Sequence, residues 1–485
     1  MRTTSAATVG RVPPRPALLK KLTAVSLGVL LTGLSVPVAA DPPSQKLQPG
    51  NLLLSRTVYN NNPNNVTVGQ ILPPNCANTT EGCSAATGAP YNGTYPTVWN
   101  NDTHDGSFGI TSAIYLDQMA SDGAFLSSTE VPNSSMPGIG ASSDQLVTSF
   151  SSKSEIALNL SLDGSYVIFM GYIAPLGQLD VSNSNTRGAV DPTNPVGESF
   201  YRTVAQVNAN LNFTFTKTNA YSGNNGRAAI LNDAAGADFF YTAGNTGNGG
   251  NPQPAGIVLG AGAQFIVPSA LMESGQTPGT PTPLASFSVT ELGLPADKIG
   301  KDDNFRGLTV FDNVVYYSKG SGGNGVDTVY FVDTTGNACP KGTGIPSSTA
   351  ALPATPLTFS PSTLASKGLP NNMCILAGFP DVSAKTSTPV NFPFGIWFAN
   401  ATTVYVADEG DGYTGGSDLY SHAAAQPNAG LEKWVFNLAT NSWNLAYTCK
   451  MGWVSEFRIR FRATLRELTP PLGFPGHPPR TVFGT

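Results

Sequence analysis

Four stretches of the chain repeat one pattern: an apolar run, a tight polar turn, and a second run rich in β-branched and aromatic residues. The pattern predicts β-hairpins, because Asp, Asn and Gly at the turns accept the backbone dihedrals that a tight reversal requires. One type of hairpin recurring along a chain indicates similar units that share a core. The four stretches are 158–172, 228–244, 308–320 and 396–410.

Other segments extend this all-β pattern. Single strands are predicted at 50–59 and 325–333, and a further hairpin at 431–448 turns at Ala439-Thr440-Asn441. The 485 residues include 52 Gly and 39 Pro but only 26 Lys and Arg, which favours strands and turns over helices. Many short strands with frequent turns are typical of a sandwich, a barrel or a propeller. We favour a β-propeller over residues 41–449, because each unit repeats a hairpin plus flanking strands, as one blade requires. About five divergent blades are recognisable, and the sequence leaves open whether the ring is truncated or incompletely closed.

The first forty residues have the pattern of a secretory signal peptide. Five basic residues precede the apolar run 22–36, and Val38-Ala39-Ala40 offers small residues for cleavage. A membrane anchor is the alternative, but the run is shorter than the ~20 apolar residues that span a bilayer. We therefore predict export to the periplasm, the cell surface or the medium, with no transmembrane segment after cleavage.

Five cysteines suit an oxidising compartment. Cys76 and Cys83 lie close together in one polar loop and are predicted to pair. Cys339 and Cys374 bracket another loop and are predicted to form a second disulfide, which leaves Cys449 over. Their spacings do not match those of zinc sites.

The charge of the chain is unevenly distributed. Residues 41–449 contain 15 basic and 29 acidic residues, a net charge of −14. This negative charge of residues 41–449 disfavours nucleic acid and anionic membranes as partners. Residues 450–485, by contrast, form an atypical basic tail with six basic and two acidic residues. The tail is either a segment that binds something acidic or, our preferred hypothesis, not native sequence, for instance the product of a shifted reading frame.

Several of these segments also resemble those of a known family. The strand GNLLLSRTVY, the hairpins LNLSLDGSYVIFMGY and PFGIWFANATTVYVADEG, and the segment GLEKWVFNLATNSWNLAYT are similar to those of exported, mostly bacterial β-propeller-like proteins rich in Gly, Ala, Ser and Thr. Members of that family mostly have no assigned activity. The resemblance implies a propeller fold and export, and it carries no catalytic residues over to this chain.

Few residues suggest chemistry. Asp408, Glu409 and Asp411 form an acidic cluster that could supply hard oxygen ligands to calcium, although the later ligands of an EF-hand loop are missing. Calcium is the one cofactor that the sequence suggests; the ordinary alternative is a polar loop at the end of a strand. Asp102, His104 and Asp105 form a weaker cluster of the same kind.

No catalytic set can be assigned. The segment 320–325 matches GxGxxG, but strands rather than a helix are predicted on both sides, which disfavours a dinucleotide site. Three histidines and no GxSxG elbow disfavour a serine hydrolase. The sequence therefore favours a non-catalytic scaffold that binds a protein or a polysaccharide. The alternative is a calcium-dependent propeller hydrolase acting on a lactone, a phosphoester or a glycan.

Overall fold

In the computed structural model of the chain, the described residues are 46–58, 69, 109–150, 156–186, 200–245, 262–268, 283–285, 304–320, 326–355, 373–382, 391–410 and 429–450. The predicted signal peptide, the Cys76–Cys83 pair, the cluster around His104, Asp411 and the tail beyond Lys450 lie outside them. Within the described ranges there is no helix with the length and apolarity needed to cross a membrane.

Five β-sheets follow one another along the chain and are arranged as the blades of a propeller. Sheet 1 contains β1 (Leu52–Val58), β2 (Ile110–Met119), β3 (Phe125–Glu130) and β4 (Thr148–Phe150). Sheet 2 contains β5 (Asn159–Leu160), β6 (Tyr166–Tyr172), β7 (Arg202–Asn208) and β8 (Phe213–Thr218). Sheet 3 contains β9 (Gly226–Asn232), β10 (Phe239–Gly244), β11 (Ala263–Ile266) and β12 (Pro283–Ala285).

Sheets 4 and 5 complete the set. Sheet 4 contains β13 (Leu308–Phe311), β14 (Val314–Lys319), β15 (Thr328–Val332), β16 (Thr343–Gly344) and β17 (Met373–Leu376). Sheet 5 contains β18 (Pro393–Asn400), β19 (Thr403–Asp408), β20 (Gly430–Asn437) and β21 (Ser442–Lys450). Among the described strands, every pairing is antiparallel except that of β16 with β17. The only helical segments among the described residues are single 3-10 turns at Val181–Asn183 and Ala234–Gly236.

The four predicted hairpins are confirmed, and each forms the first two strands of sheets 2 to 5. The turn residues explain the tight reversals. Asp312 and Asn313 adopt φ values of 47° and 60°, the left-handed conformation that Asn and Asp tolerate better than most residues. The predicted hairpin at 431–448 is also confirmed as β20 and β21, with Asn441 at φ 52°.

The apolar side chains are buried between successive sheets. Four clusters occupy the four interfaces from sheet 1 to sheet 5, and each draws residues from both sheets that it joins. Burying one large apolar side chain contributes about 1.5–3 kcal/mol, so each sheet depends on its neighbours for its core. Residues of neighbouring sheets that belong to the same cluster include Ile114 and Phe169, Met170 and Phe240, Tyr241 and Tyr317, and Phe331 and Phe398.

Sheets 4 and 5 approach each other closely at Gly307. A Cβ atom at this position would collide with the carbonyl oxygen of Phe394, so only glycine fits. Beside it, the hydroxyl of Ser318 donates a hydrogen bond to the same Phe394 carbonyl. The backbone of one sheet is thereby fixed against that of the next.

The antiparallel order brings strand ends together at one end of the propeller, which we call the polar end. There the first strands of sheets 2 to 5 begin, the second strands end and the third strands begin. We define it by five residues at or next to these strand termini: Tyr172, Arg202, Arg227, Lys319 and Asp408. The hairpin turns lie at the opposite end.

Candidate functional site

Buried polar side chains are concentrated at the polar end. Most of them sit at the first or last residue of a strand, or in the segments next to it, where strand ladders leave backbone groups to be satisfied by side chains. Buried charges need partners, so the contacts of these side chains decide whether they hold the fold together or are available to a ligand. The buried residues are Asp180, Asn183, Arg202, Asn225, Arg227, Arg306, Lys319, Asp327, Asn391 and Asp408.

Arg202 links the loops around sheet 2 through hydrogen bonds. Its side chain is fully buried and donates hydrogen bonds to the carbonyl oxygens of Ser182, Ser184, Phe200 and Asn224, at 2.7–3.1 Å for the first three. Its guanidinium also lies 5.4 Å from the ring centroid of Tyr172. Burial lowers the pKa of Arg202 to about 10, so the side chain remains charged at neutral pH. The cation thus holds backbone carbonyls in place.

Arg227 makes the corresponding link from sheet 3 to sheet 4. Its Nη1 donates to the carbonyl of Phe305 at 2.9 Å and to Oδ1 of Asn304. In the same region, the hydroxyl of Tyr172 donates to Oδ1 of Asn225 at 2.5 Å. These bonds join the ends of three successive sheets.

Sheet 4 contributes a buried ion pair. Nζ of Lys319 lies 2.7 Å from Oδ1 of Asp327, and both side chains are almost completely buried. Burial raises the pKa of Asp327, while the positive charges of Lys319 and Arg306 oppose that rise. The guanidinium of Arg306 stacks over the ring of Phe394 at 4.5 Å from its centroid, which reaches across to sheet 5.

Asp408, the first residue of the predicted calcium cluster, is buried at the end of β19. Its Oδ2 accepts the backbone N–H of Phe392 and its Oδ1 accepts that of Gly410, both at 2.7 Å. Burial raises the pKa of Asp408 to about 6 in spite of these bonds. Glu409 is exposed, and its backbone N–H donates to the carbonyl of Phe392. Since Asp411 lies outside the described residues, the three-ligand site remains a prediction.

Glu432 is a buried acid that the sequence reasoning did not single out. Its carboxylate accepts a 2.8 Å hydrogen bond from Nε1 of Trp434 and faces the core between sheets 4 and 5. Burial raises its pKa to about 7, and the negative charge of Asp408 adds to the rise. The alternation in LEKW could have revealed it, because Glu432 must share a face with the apolar Trp434.

The described residues contain one group of three potential metal ligands, Asp333, Cys339 and Cys374. The two cysteines form the predicted disulfide, with their Cα atoms 5.8 Å apart. Asp333 instead accepts hydrogen bonds from Thr335 and from the backbone of Ala338. This group is therefore a structural feature of the loop. Cys449, half-buried on β21, has no disulfide partner among the described residues.

The strands β14 and β15 flank the Gly-rich segment 320–325, as predicted, and residues 321–325 themselves lie outside the described residues. A strand follows it, so a dinucleotide phosphate would not meet a helix N-terminus there. Of the tryptophans, Trp434 and Trp443 pack in the core between sheets 4 and 5. Trp397 lies on the other face of sheet 5, stacked on Tyr405 at 5.8 Å.

Comparison with known proteins adds little to this geometry. No family model matches the chain. No curated protein matches it either. Among solved structures, the periplasmic gluconolactonase PpgL of Pseudomonas aeruginosa is similar at 10% identity and a TM-score of 0.30, over 71% of this chain and 83% of that one. The propeller assignment therefore rests on the order and packing of the five sheets.

Proposed function

We propose that this protein is an exported, non-catalytic binding scaffold whose ligand is a polysaccharide or another protein. The proposal is supported by the contacts that the charged side chains of the polar end make. Arg202, Lys319, Asp327 and Asp408 all make close contacts within the chain that hold backbone or neighbouring side chains. Because these charged groups hold the surrounding backbone and side chains in place, they make the polar end a rigid platform.

Long connections leave from the same end. The segments 173–201, 286–307 and 409–429 join strands there, whereas hairpins at the opposite end turn in as few as two residues, as at 312–313 and 401–402. Loops held on a rigid scaffold are where binding residues are usually found. The Cys339–Cys374 disulfide fits an oxidising compartment, which supports export.

Binding can be tested with the purified full chain, by co-sedimentation with insoluble polysaccharides (cellulose, chitin, mannan and peptidoglycan) and on a glycan array. The proposal expects binding to at least one polymer class, together with no turnover of lactone, phosphodiester or glycoside substrates with or without calcium. Turnover of any of these substrates would contradict it.

The second candidate is the calcium-dependent propeller hydrolase. It is favoured by one observation: two buried carboxyl groups, Asp408 and Glu432, have raised pKa values at the interface of sheets 4 and 5. This candidate requires that millimolar calcium raises the melting temperature of the protein, and that Asp408→Asn abolishes the rise. The scaffold proposal expects no shift in either protein, with Glu130→Gln, remote from this interface, as the matched control.

A further inference from the structure

The turn between β5 and β6 in sheet 2 contacts the end of β9 in sheet 3, at the end of the propeller opposite the polar end. The backbone N–H of Leu162 donates a hydrogen bond to the carbonyl oxygen of Leu231 at 2.9 Å. The next residue, Asp163, donates its backbone N–H to Oδ1 of Asp233, also at 2.9 Å. These two aspartates are 70 positions apart in the chain, so the bond joins neighbouring blades.

The carboxylate of Asp163 is held in place by its own turn. Its Oδ1 accepts a hydrogen bond from the hydroxyl of Ser161 at 2.9 Å and from the backbone N–H of Ser165 at 2.7 Å. An aspartate that accepts the backbone N–H two residues later is typical of tight turns. The residues of the turn therefore fix the position of this carboxylate.

Asp233 brings a second carboxyl group to the same place. It lies within hydrogen-bonding distance of the carboxyl group of Asp163. Its Oδ2 is buried from solvent and accepts no hydrogen bond from a donor among the described residues. In the same part of the chain, no lysine or arginine forms an ion pair with either aspartate. Two ionised carboxylates can only accept, so a bond between them requires a proton.

We propose that Asp163 and Asp233 share one proton and so form a pH-sensitive link between sheets 2 and 3. The shared proton converts two repelling charges into one carboxyl donor and one carboxylate acceptor. Adjacent carboxyl groups titrate in two separate steps, because the second ionisation must overcome the charge left by the first. The pair lies at the end opposite the polar end, so the link is independent of what the protein binds there.

The pKa values of the two groups are displaced in opposite directions. Partial burial opposes the ionisation of Asp163, but hydrogen bonds from Ser165, Asp233 and Ser161 outweigh it and lower the pKa of Asp163 to about 2. Burial raises the pKa of Asp233, and the hydrogen bond to Asp163 and its negative charge add to the rise. Asp233 is therefore the group that holds the shared proton.

These directions set the pH response of the link. Folded Asp233 keeps its proton at pH values where the unfolded chain releases it, so its contribution to stability is present at low pH and is lost as the pH rises through its raised pKa. The contribution of Asp163 is present above its ordinary pKa and is lost as the pH falls towards about 2. The link is strongest between these limits, and loss of the shared proton should loosen the turn of sheet 2 from β9.

Carbon-13 NMR of the aspartate carboxyl groups in the full chain tests the inference. Asp238 is the internal reference, because it is exposed just after the 3-10 turn that Asp233 precedes. The carboxyl signal of Asp233 is expected to titrate at higher pH than that of Asp238, and the signal of Asp163 at lower pH. In the Asp163→Asn variant the midpoint of Asp233 should move towards that of Asp238, because the neighbouring charge is gone.

Hydrogen exchange measured by mass spectrometry gives a second readout. Protection factors of residues 161–166, corrected for the intrinsic effect of pH on exchange, should fall by about 5-fold or more between about pH 4 and pH 9. Asp233→Asn mimics the protonated group and should abolish this fall, whereas Asp238→Asn should retain it. The turn at 401–402 in sheet 5 has no acidic side chain and should show no such change.

Three results would overturn the inference. The first is an Asp233 signal that titrates at or below the pH of the Asp238 signal. The second is a pH response of residues 161–166 that persists in the Asp233→Asn variant. The third is a shift of the Asp233 signal with millimolar calcium or magnesium, together with greater protection of residues 161–166, because a cation would then lie between the carboxylates in place of the proton.

Discussion

The hydroxyl of Tyr317 in sheet 4 donates a hydrogen bond to the carbonyl oxygen of Thr242 in sheet 3, at 3.2 Å across the interface between them. Tyr317 is completely buried, and burial raises its pKa well above the ordinary value, so the hydroxyl stays protonated and able to donate. One residue thus contributes both an apolar ring and a polar link between neighbouring blades.

Substitution of Tyr317 separates these two contributions. Tyr317→Phe removes only the hydrogen bond and should lower the free energy of unfolding by about 1 kcal/mol. Tyr317→Ala also removes the ring from the core and should cost about 3–5 kcal/mol. Urea unfolding followed by tryptophan fluorescence measures both. Equal losses in the two variants would mean that the ring does not pack between the sheets.

Arg202 should be among the most costly polar residues to replace. Arg202→Met leaves four carbonyl oxygens, two of them on buried residues, without this donor, and we expect a loss of about 3–5 kcal/mol in unfolding free energy. Lys217→Met is the matched control, since Lys217 pairs with the exposed Asp144 at 3.0 Å and should change stability by less than about 1 kcal/mol. Similar melting temperatures for the two variants would show that the hydrogen bonds of Arg202 to these carbonyls do not stabilise the fold.

Stability should fall as the pH rises from 5 to 8. The pKa values of Asp408 and Glu432 are raised to about 6 and about 7 in the folded state, so the folded protein holds protons that the unfolded chain releases. Glu432→Gln keeps an acceptor for Trp434 and removes one titrating group. The decrease in unfolding free energy between pH 5 and pH 8 should therefore be smaller in this variant, by on the order of 2 kcal/mol.

Thermal unfolding at a series of pH values measures this effect. Glu409→Gln, at an exposed position beside Asp408, should reproduce the pH dependence of the unaltered protein. If the Glu432→Gln variant also kept the pH dependence of the unaltered protein, Glu432 would not be a buried acid with a raised pKa.

The disulfide should matter for stability, and the unpaired cysteine should not. Cys339→Ala combined with Cys374→Ala opens a loop closed over 35 residues of sequence separation, which should cost about 3–4 kcal/mol of unfolding free energy. Cys449→Ala is the control, because Cys449 has no disulfide partner among the described residues. An unchanged urea midpoint in the double variant would show that the bond does not form in solution.

Local signals in the sequence predict much of the fold. The turn residues at 163–164 and 312–313 identify their hairpins because tight turns place strict demands on two or three adjacent residues. The Cys339–Cys374 pair is likewise predicted from the loop that it brackets. The strands of sheet 1 are harder to place, because β1 and β2 are separated by more than fifty residues.

The polar end is not visible in the sequence, because its contacts join residues that are distant along the chain. Three of the four carbonyl partners of Arg202 lie 18 to 22 positions away, and Arg227 reaches residues 77 and 78 positions away. Periodicity reports which face of a strand is apolar but not that a strand terminus is buried by a neighbouring sheet. For the same reason, Asp408 has the sequence context of a loop residue, yet its carboxylate is buried and holds two backbone amides.

A crystal structure of the full chain tests most directly whether successive sheets pack face to face around a common axis. The account predicts the hairpins 158–172 and 396–410 in the second and fifth of five stacked sheets, with the Tyr317 hydroxyl bonded to the Thr242 carbonyl and Ser318 bonded to Phe394. Hairpin segments folded as helices, or sheets 3 and 4 in two separate bodies with no apolar interface between them, would contradict it.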